Sequence, residues 1–397
     1  MMRILVRYTT FEFLKTFAMA LSAITVFSLI LGVAAEAVKE GLSLGPVLRM
    51  MPFILPVTMR YSVPAAALLA ACALYGRMSG ENEIVAVKSL GLSPAVVMIP
   101  AFITAFLISV TAVWINDIAV SWGRPGAQRV VSESIEQIAY GMLRTRRSYE
   151  MDRFSIIVKD VQGHLLIRPT LRRRGETPED DVIVTAETAE LRRNPESNSL
   201  SIFLTNGRFE GPQGFEGRFA GKTIEHVLEL PDGQQNHRGE LSPSDYAIRD
   251  LAAEREYQLQ VVAGLEGRMA ADVAFRLITG DIEGLHEPEW EQRQKKRSSA
   301  QNRINRLRTE PWRRWANGFS CFFFVLVGVP LSIRMRNADF VTSFFATFLP
   351  ILMVYYPLMT YGVDRAKDGS MPQYACWLGN AVCLLWAAWL LRRVMRH

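Results

Sequence analysis

Few residues of this chain are spaced for chemistry. Gly221-Lys222-Thr223 has the ending of a phosphate-binding loop, but that motif needs four residues between its glycines, and Glu216 stands where the first should be. The segment reads as a strand with no helix to follow. His164, His226, His237, His286 and His397 are scattered without metal-site spacing. No Gly-x-Ser-x-Gly nucleophile motif occurs, and the paired acids lie in surface-like runs. No catalysis, metal or cofactor is expected of the chain itself.

Two polar groups carry more. Arg60 stands inside an apolar run, about 12 Å from Pro52 at the helical rise. A charge at that depth is costly and by default faces a cavity or a partner. With Pro56 and Pro64 flanking it, and Lys39 and Arg49 near the same end, Arg60 could receive phosphates of an acidic glycolipid, since guanidinium binds phosphate bidentately. The plain alternative is snorkelling to lipid headgroups, with more force for Lys39 and Arg49. The second group lies between two apolar runs. Ser79 can cap a short helix there, Glu81 and Glu83 fall in its first turn, and Gly91 can end it before Pro94. Ile84 and Val87 or Lys88 then share a face. An apolar ridge beside acids has the form of a coupling helix seated in a partner's groove; the alternative is a tight hairpin with hydrated charges.

The elements that must position these residues are set by hydropathy. Apolar stretches at Leu14–Ala35, Pro52–Tyr75, Pro94–Trp114, Trp315–Ile333, Phe340–Gly362 and Tyr374–Leu391 each approach the ~20 residues of a spanning helix. The mean hydropathy of +0.11 and 21% charged residues average over two solvents, because Val120–Arg314 reads like a soluble domain. The first stretch also resembles a signal peptide ending at Ala35-Glu36-Ala37, but its apolar core is longer than the usual ~7–15 residues. Arg3, Arg7, Lys15, Arg77, Lys88, Arg334, Arg336, Arg392, Arg393 and Arg396 share one side of the membrane, against Lys39, Arg49, Arg365 and Lys367 in the opposite short loops. Both termini are therefore expected in the cytoplasm and the long block on the far side, since long domains translocate regardless of charge.

Within that block, Ser155–Lys159, Leu165–Arg168, Val182–Ala186, Leu200–Phe203 and Phe215–Leu230 are strand-like runs. Gln162-Gly163, Asn194-Pro195, Asn206-Gly207 and Pro231-Asp232-Gly233 read as turns between them, and Leu171–Asp181 as an exposed loop. The spacing suggests a β-sandwich or jelly roll. Alternation puts Ile157, Ile167 and Phe203 forward as residues lining an apolar interior that could hold lipid; filling an ordinary core is the plainer role. From Ser242-Pro243-Ser244-Asp245, a helix-start signature, the pattern turns helical and charged until Pro311. The basic run Lys295-Lys296-Arg297 with Arg303, Arg306, Arg308, Arg313 and Arg314 is either a solvated helix face or a contact for anionic lipid. Cys72, Cys321, Cys376 and Cys383 all lie in apolar stretches, so no disulfide framework supports the domain. The fold class is thus α-helical membrane protein with six transmembrane helices in a 3 + 3 arrangement. The divisions are 1–119 (with the coupling helix near 79–91), 120–241 as the β domain, 242–312 as a helical extension and 313–397.

This layout resembles the lipopolysaccharide export permeases of the LptF/LptG family. The carriers are Arg7-Tyr8 with Phe11 to Phe17, the stretch Gly76-Arg77-Met78-Ser79-Gly80-Glu81-Asn82-Glu83-Ile84 through Lys88 to Pro94, Asn206-Gly207-Arg208-Phe209-Glu210, and Val329-Pro330-Leu331-Ser332. The last two lean toward the F-type member, and the segment from Glu254 to Arg308 is longer and more basic than the family's usual connection. The resemblance implies an inner-membrane subunit of an ATP-driven exporter. It would pair with a second permease of the family, couple to a cytoplasmic ATPase dimer through Glu81, Glu83, Ile84 and Val87, and pass lipopolysaccharide or a related glycolipid to periplasmic jelly-roll bridge proteins. No nucleic-acid partner is expected. An exporter of lipoproteins or other lipids, and a non-transporting scaffold whose β domain recruits envelope proteins, remain the alternatives.

Overall fold

The structure, a computed structural model, describes residues 2–40, 44–151, 154–173, 182–194, 199–211, 216–229, 242–280, 288–335 and 340–396. Among the described residues six helices are long and apolar enough to cross a membrane, and each expected span overlaps one of them. In chain order the helices are α1 (Met2–Glu40), α2 (Leu44–Gly80), α3 (Glu83–Ser89), α4 (Ala95–Ile118), α5 (Arg124–Glu133), α6 (Ile135–Arg146), α7 (Leu251–Thr279), α8 (Pro288–Arg334), α9 (Phe340–Pro350), α10 (Tyr356–Lys367) and α11 (Leu378–Arg396). The chain divides into two compact units. One holds 1–28, 55–124 and 236–397, and the other 29–54 and 125–235.

In the first unit small residues decide the packing. In lipid, apolar surface gains little by meeting apolar surface, so helices associate where close contact and hydrogen bonds allow it. Ala67, Ala70 and Ala71 of α2 are fully buried in one cluster with Cys321, Val325 and Val329 of α8. A Cβ at Gly318 of α8 would collide with Val113 of α4, so glycine there lets the two helices touch. Polar groups pin the same helices: the Tyr75 hydroxyl donates to Val97 O (2.7 Å), and Asn380 Nδ2 to Ala316 O (3.0 Å). The most apolar stretch of α8 is 72% buried and that of α1 only 11%, so α8 is the axis of the unit and α1 presents most of its surface outward.

At one end of this unit charge is buried deliberately. Arg314, fully buried, pairs with Asp117 (2.9 Å) and donates to the carbonyls of Ser244 and Tyr246. Asp117 also accepts from Ile248 N at 2.9 Å. Ser242–Asp245, expected to start a helix, instead forms a short 3-10 turn at Pro243–Asp245. The long helix begins only at Leu251. Pro311 does not stop the helical segment either, since α8 runs through it without interruption. Packing against α7 before it and α4 after it outweighs one lost backbone bond. Arg297 pairs with Glu266, Arg303 with Glu254 and Arg293 with Asp272, which fastens α7 antiparallel to the first half of α8.

The second unit is built on an antiparallel sheet of eight strands: β1 (Ser148–Met151), β2 (Phe154–Ile157), β3 (Asp160–Gln162), β4 (Leu165–Ile167), β5 (Thr170–Arg173), β6 (Val182–Asn194), β7 (Ser199–Glu210) and β8 (Glu216–Glu229). The ladder is one continuous sheet among the described residues. On one edge of β6, β5 pairs with its first half and β4 with its second; β7 and then β8 follow on the other edge. Leu171, expected in a loop, is a core residue of β5, while 174–181 lie outside the described residues. Asn206-Gly207, expected as a turn, is a bulge inside β7. Asn206 takes φ 53°, its Nδ2 donates to Glu187 (3.1 Å), and its Oδ1 accepts from Gly221 N (2.9 Å). A side chain at Gly207 would strike Thr185 O and Phe219. Helix α6 lays Ile135, Ala139, Tyr140 and Leu143 against the core face, among Ile156, Leu166, Leu191 and Ile202.

Candidate functional site

Helix α3 has two faces with different fates. Ile84 and Val87 are buried in the cluster that holds Tyr75, Met98 and Val394, so this ridge docks on the chain's own helices. The outer side presents Val85 and, just past the helix end, Leu90, 47% and 60% exposed, with Glu81 also exposed. Ser79 does not cap α3: its hydroxyl donates to Ile333 O at 2.8 Å, and the residue before the helix is Asn82 with φ 61° and no side-chain cap bond. Gly91 does terminate it. With φ 72°, it donates to Lys88 O (2.9 Å) while Leu92 N reaches back to Val87 O (3.2 Å), the paired bonds of a Schellman ending. Burial, then the neighbouring carboxyl of Glu81, holds the Glu83 carboxyl above its usual range, and Arg77 offsets part of this. Arg77 itself bridges to Glu12 of α1 at 3.4 Å. Beside α3 opens a cavity of about 440 Å³ lined by Lys88, Arg334 and Arg393 together with Ile84, Val85 and Ile333.

In the sheet unit, the core face continues beyond α6 into an apolar hollow of about 200 Å³. Leu171, Val184, Leu204, Phe209, Phe219 and Ile224 line it, with Arg173 at the edge. The bulge at Asn206-Gly207 shifts the pairing of β7 with β8, and Phe209 follows it in the same strand. Ile157, Ile167 and Phe203, expected along the interior, alternate with the core residues Ile156, Leu166 and Leu204 and so project from the opposite face. Ile157 is exposed, and the guanidinium of Arg192 lies 5.6 Å from the Phe203 ring centre. A one-residue difference in parity decides the face.

The expected cationic group is spread along α1 and α2. Arg60 is half-buried in α2, its guanidinium 5.6 Å from the Tyr61 ring centre. Arg49 is exposed near the start of α2. Lys39 belongs to the end of α1, and its side chain lies outside those described. Sequence reasoning missed Val85 and Leu90, because the inward face of so short a helix is chosen by distant partners. It missed Phe209 and Phe219 because the bulge that turns them inward reads as a turn in the sequence.

Six membrane-length helices among the described residues, interrupted by an antiparallel β domain, define a multi-pass membrane protein with an inserted β domain. The family model of the lipopolysaccharide export system permease LptF/LptG matches residues 7–393, nearly the whole chain. The chain belongs to the LptF/LptG family: it is a multi-pass inner-membrane protein and a lipopolysaccharide export permease. Comparison with curated proteins gives no match.

Proposed function

We propose that this chain is one permease subunit of an ATP-driven exporter, F-type by its Asn206–Glu210 and Val329–Ser332 segments, that draws lipopolysaccharide from the inner membrane and passes it through its periplasmic β domain to a bridge of similar domains. Both termini and α3 face the cytoplasm, and a separate ATPase dimer supplies the energy. The observation that carries this reading is the division of α3. Its inner ridge is fixed to the bundle, while Val85 and Leu90 are left for a partner beside the basic cavity of Lys88, Arg334 and Arg393. A helix so held transmits a partner's motion to α2 and α4, the spans it joins. The outward surfaces of α1 and of α9–α10, whose most apolar stretches are 11% and 22% buried, suit a paired permease with the cargo between the two. The hollow at Phe209 and Phe219 suits acyl chains leaving the membrane, because these need an apolar route through water. Lys39, Arg49 and Arg60 are assigned to the phosphates of the cargo.

The test is copurification. Val85→Asp with Leu90→Asp should lower recovery of the ATPase about tenfold, the effect of ~1.4 kcal/mol, with the permease still inserted and folded. Glu83→Lys should act in the same direction. Undiminished ATPase recovery and transport in these variants would remove α3 as the coupling element. Cysteines at Glu81 and Gln162 should label from opposite sides of the membrane; labelling from the same side would overturn the topology.

A further inference from the structure

The basic run on α8 is not one surface. Arg297, Arg303, Arg313 and Arg314 each have a carboxylate partner within the chain, namely Glu266, Glu254, Glu310 and Asp117. Arg308 has none among the described residues, and neither does Arg255, which α7 brings to the same place. Both line an open cleft of about 520 Å³ whose other walls include Leu251, Leu259, Leu307 and Trp312. Among the described residues no Asp or Glu lines it. On α7 the lining positions 251, 255 and 259 recur every fourth residue, and on α8 the lining is 307, 308, 311 and 312, so each helix contributes one stripe.

The level of the cleft follows from α8, which is continuous into the fourth span. Arg308 precedes Trp315, where that span begins, by about 10 Å at 1.5 Å per residue, the depth of a headgroup layer. Trp312, Trp315 and Tyr374 are exposed there, as expected of residues at a membrane interface. An apolar cleft with two unpartnered guanidiniums at headgroup depth matches one chemistry: a phosphate attached to an acyl chain.

We infer that the base of the α7–α8 hairpin holds a phosphate-bearing anionic lipid, with the phosphate between Arg255 and Arg308 and an acyl chain along Leu251, Leu259, Leu307 and Trp312. The site lies outside the transport route proposed above. It rests on that reading only for which leaflet it reaches, so labelling from the two sides of the membrane and the binding assay below fail independently. Its consequence is that the hairpin is anchored to the bilayer surface instead of standing free of it.

The experiment uses the full-length protein in nanodiscs, with a photo-crosslinking residue at Ala252 and labelled phosphatidylglycerol or phosphatidylethanolamine as probe. Phosphatidylglycerol should be captured well above the zwitterionic lipid. Capture should fall on the order of thirtyfold in Arg255→Gln/Arg308→Gln, at about fivefold for each arginine near the surface. Leu259→Trp should lower capture by filling the cleft without changing charge, while Arg306→Gln should leave it unchanged. Displacement by unlabelled phosphatidylglycerol ahead of lipopolysaccharide makes the occupant a bilayer lipid; the reverse order makes it the cargo's phosphates. The first order supports the proposal; the second, which would put the cleft on the cargo's route, overturns it. Equal capture in wild type and the double variant, equal loss in Arg306→Gln, or full displacement by inorganic phosphate alone would overturn it.

Discussion

Under α6, the core face of the sheet is filled: Ile135, Ala139 and Leu143 fit among Leu166, Leu191 and Ile202, and the Tyr140 hydroxyl donates to His164 O (2.6 Å) while accepting from Leu191 N (2.9 Å). Between β5 and β8 the same face is equally apolar, but among the described residues only strands line it. Identical surface chemistry thus serves two ends in one sheet, and what differs is whether the chain supplies its own cover. Where it does, substitutions should cost stability. Where it does not, they should cost lipid passage and leave folding nearly intact. The same contrast recurs in the other unit, where Arg314 is consumed by Asp117 and two carbonyls while Arg308 on the same helix is left open.

The largest effect should come from breaking the Arg314–Asp117 ion pair. Arg314→Ala strands Asp117 and frees the turn at Pro243–Asp245, and removing one partner of a buried pair costs about 3–5 kcal/mol. The detergent-solubilised protein should show a markedly lower melting temperature, with Arg308→Ala close to wild type. Equal losses at the two arginines would erase the distinction.

Tyr140→Phe comes next. It leaves a buried Leu191 N–H without its partner, a loss of about 1–3 kcal/mol, and should destabilise the β domain in thermal melts or hydrogen exchange. Phe219→Ala, in the uncovered half, should change stability less and lipid transfer more. If Phe219→Ala were the more destabilising of the two, the hollow would be part of the core.

The smallest effect belongs to α3. The Glu83 carboxyl is held above its usual range, so the stability it contributes is present below the unfolded pKa and lost as pH rises through the raised folded one. Glu83→Gln should therefore match wild type in acid and melt slightly higher at neutral pH, within the ~0.5 kcal/mol typical of surface substitutions. A lower melting temperature at neutral pH would mean that the carboxylate is stabilised by a partner inside the chain.

How far the sequence reached depended on whether the deciding contact was local. The six spans were legible because lipid requires long apolar helices wherever they occur. Gly91 was legible as a helix end because its left-handed backbone is a local demand. β6 was cut short at Ala186 because Glu187, Glu190 and Arg192 break an apolar pattern while pointing away from the core. The helix that covers the sheet, α6, was missed because only its packing partners make its weak stripe meaningful. Sorting the arginines required Glu254 to meet Arg303 and Asp117 to meet Arg314 across long stretches of chain, which no spacing rule records. The shared face of Ile84 and Val87 on α3 was legible, but as a ridge for a partner; Val394 at the other end of the chain makes it internal and leaves Val85 and Leu90 outside.

The most direct measurement places a photo-crosslinking residue at Phe219 in the hollow and, separately, at Ile157 on the opposite face, in the assembled exporter with lipopolysaccharide supplied. The account predicts that Phe219 captures lipopolysaccharide when the ATPase is active and not when it is disabled, while Ile157 captures little in either state. Capture at Ile157 without capture at Phe219, under conditions where lipid reaches the next carrier, would contradict it.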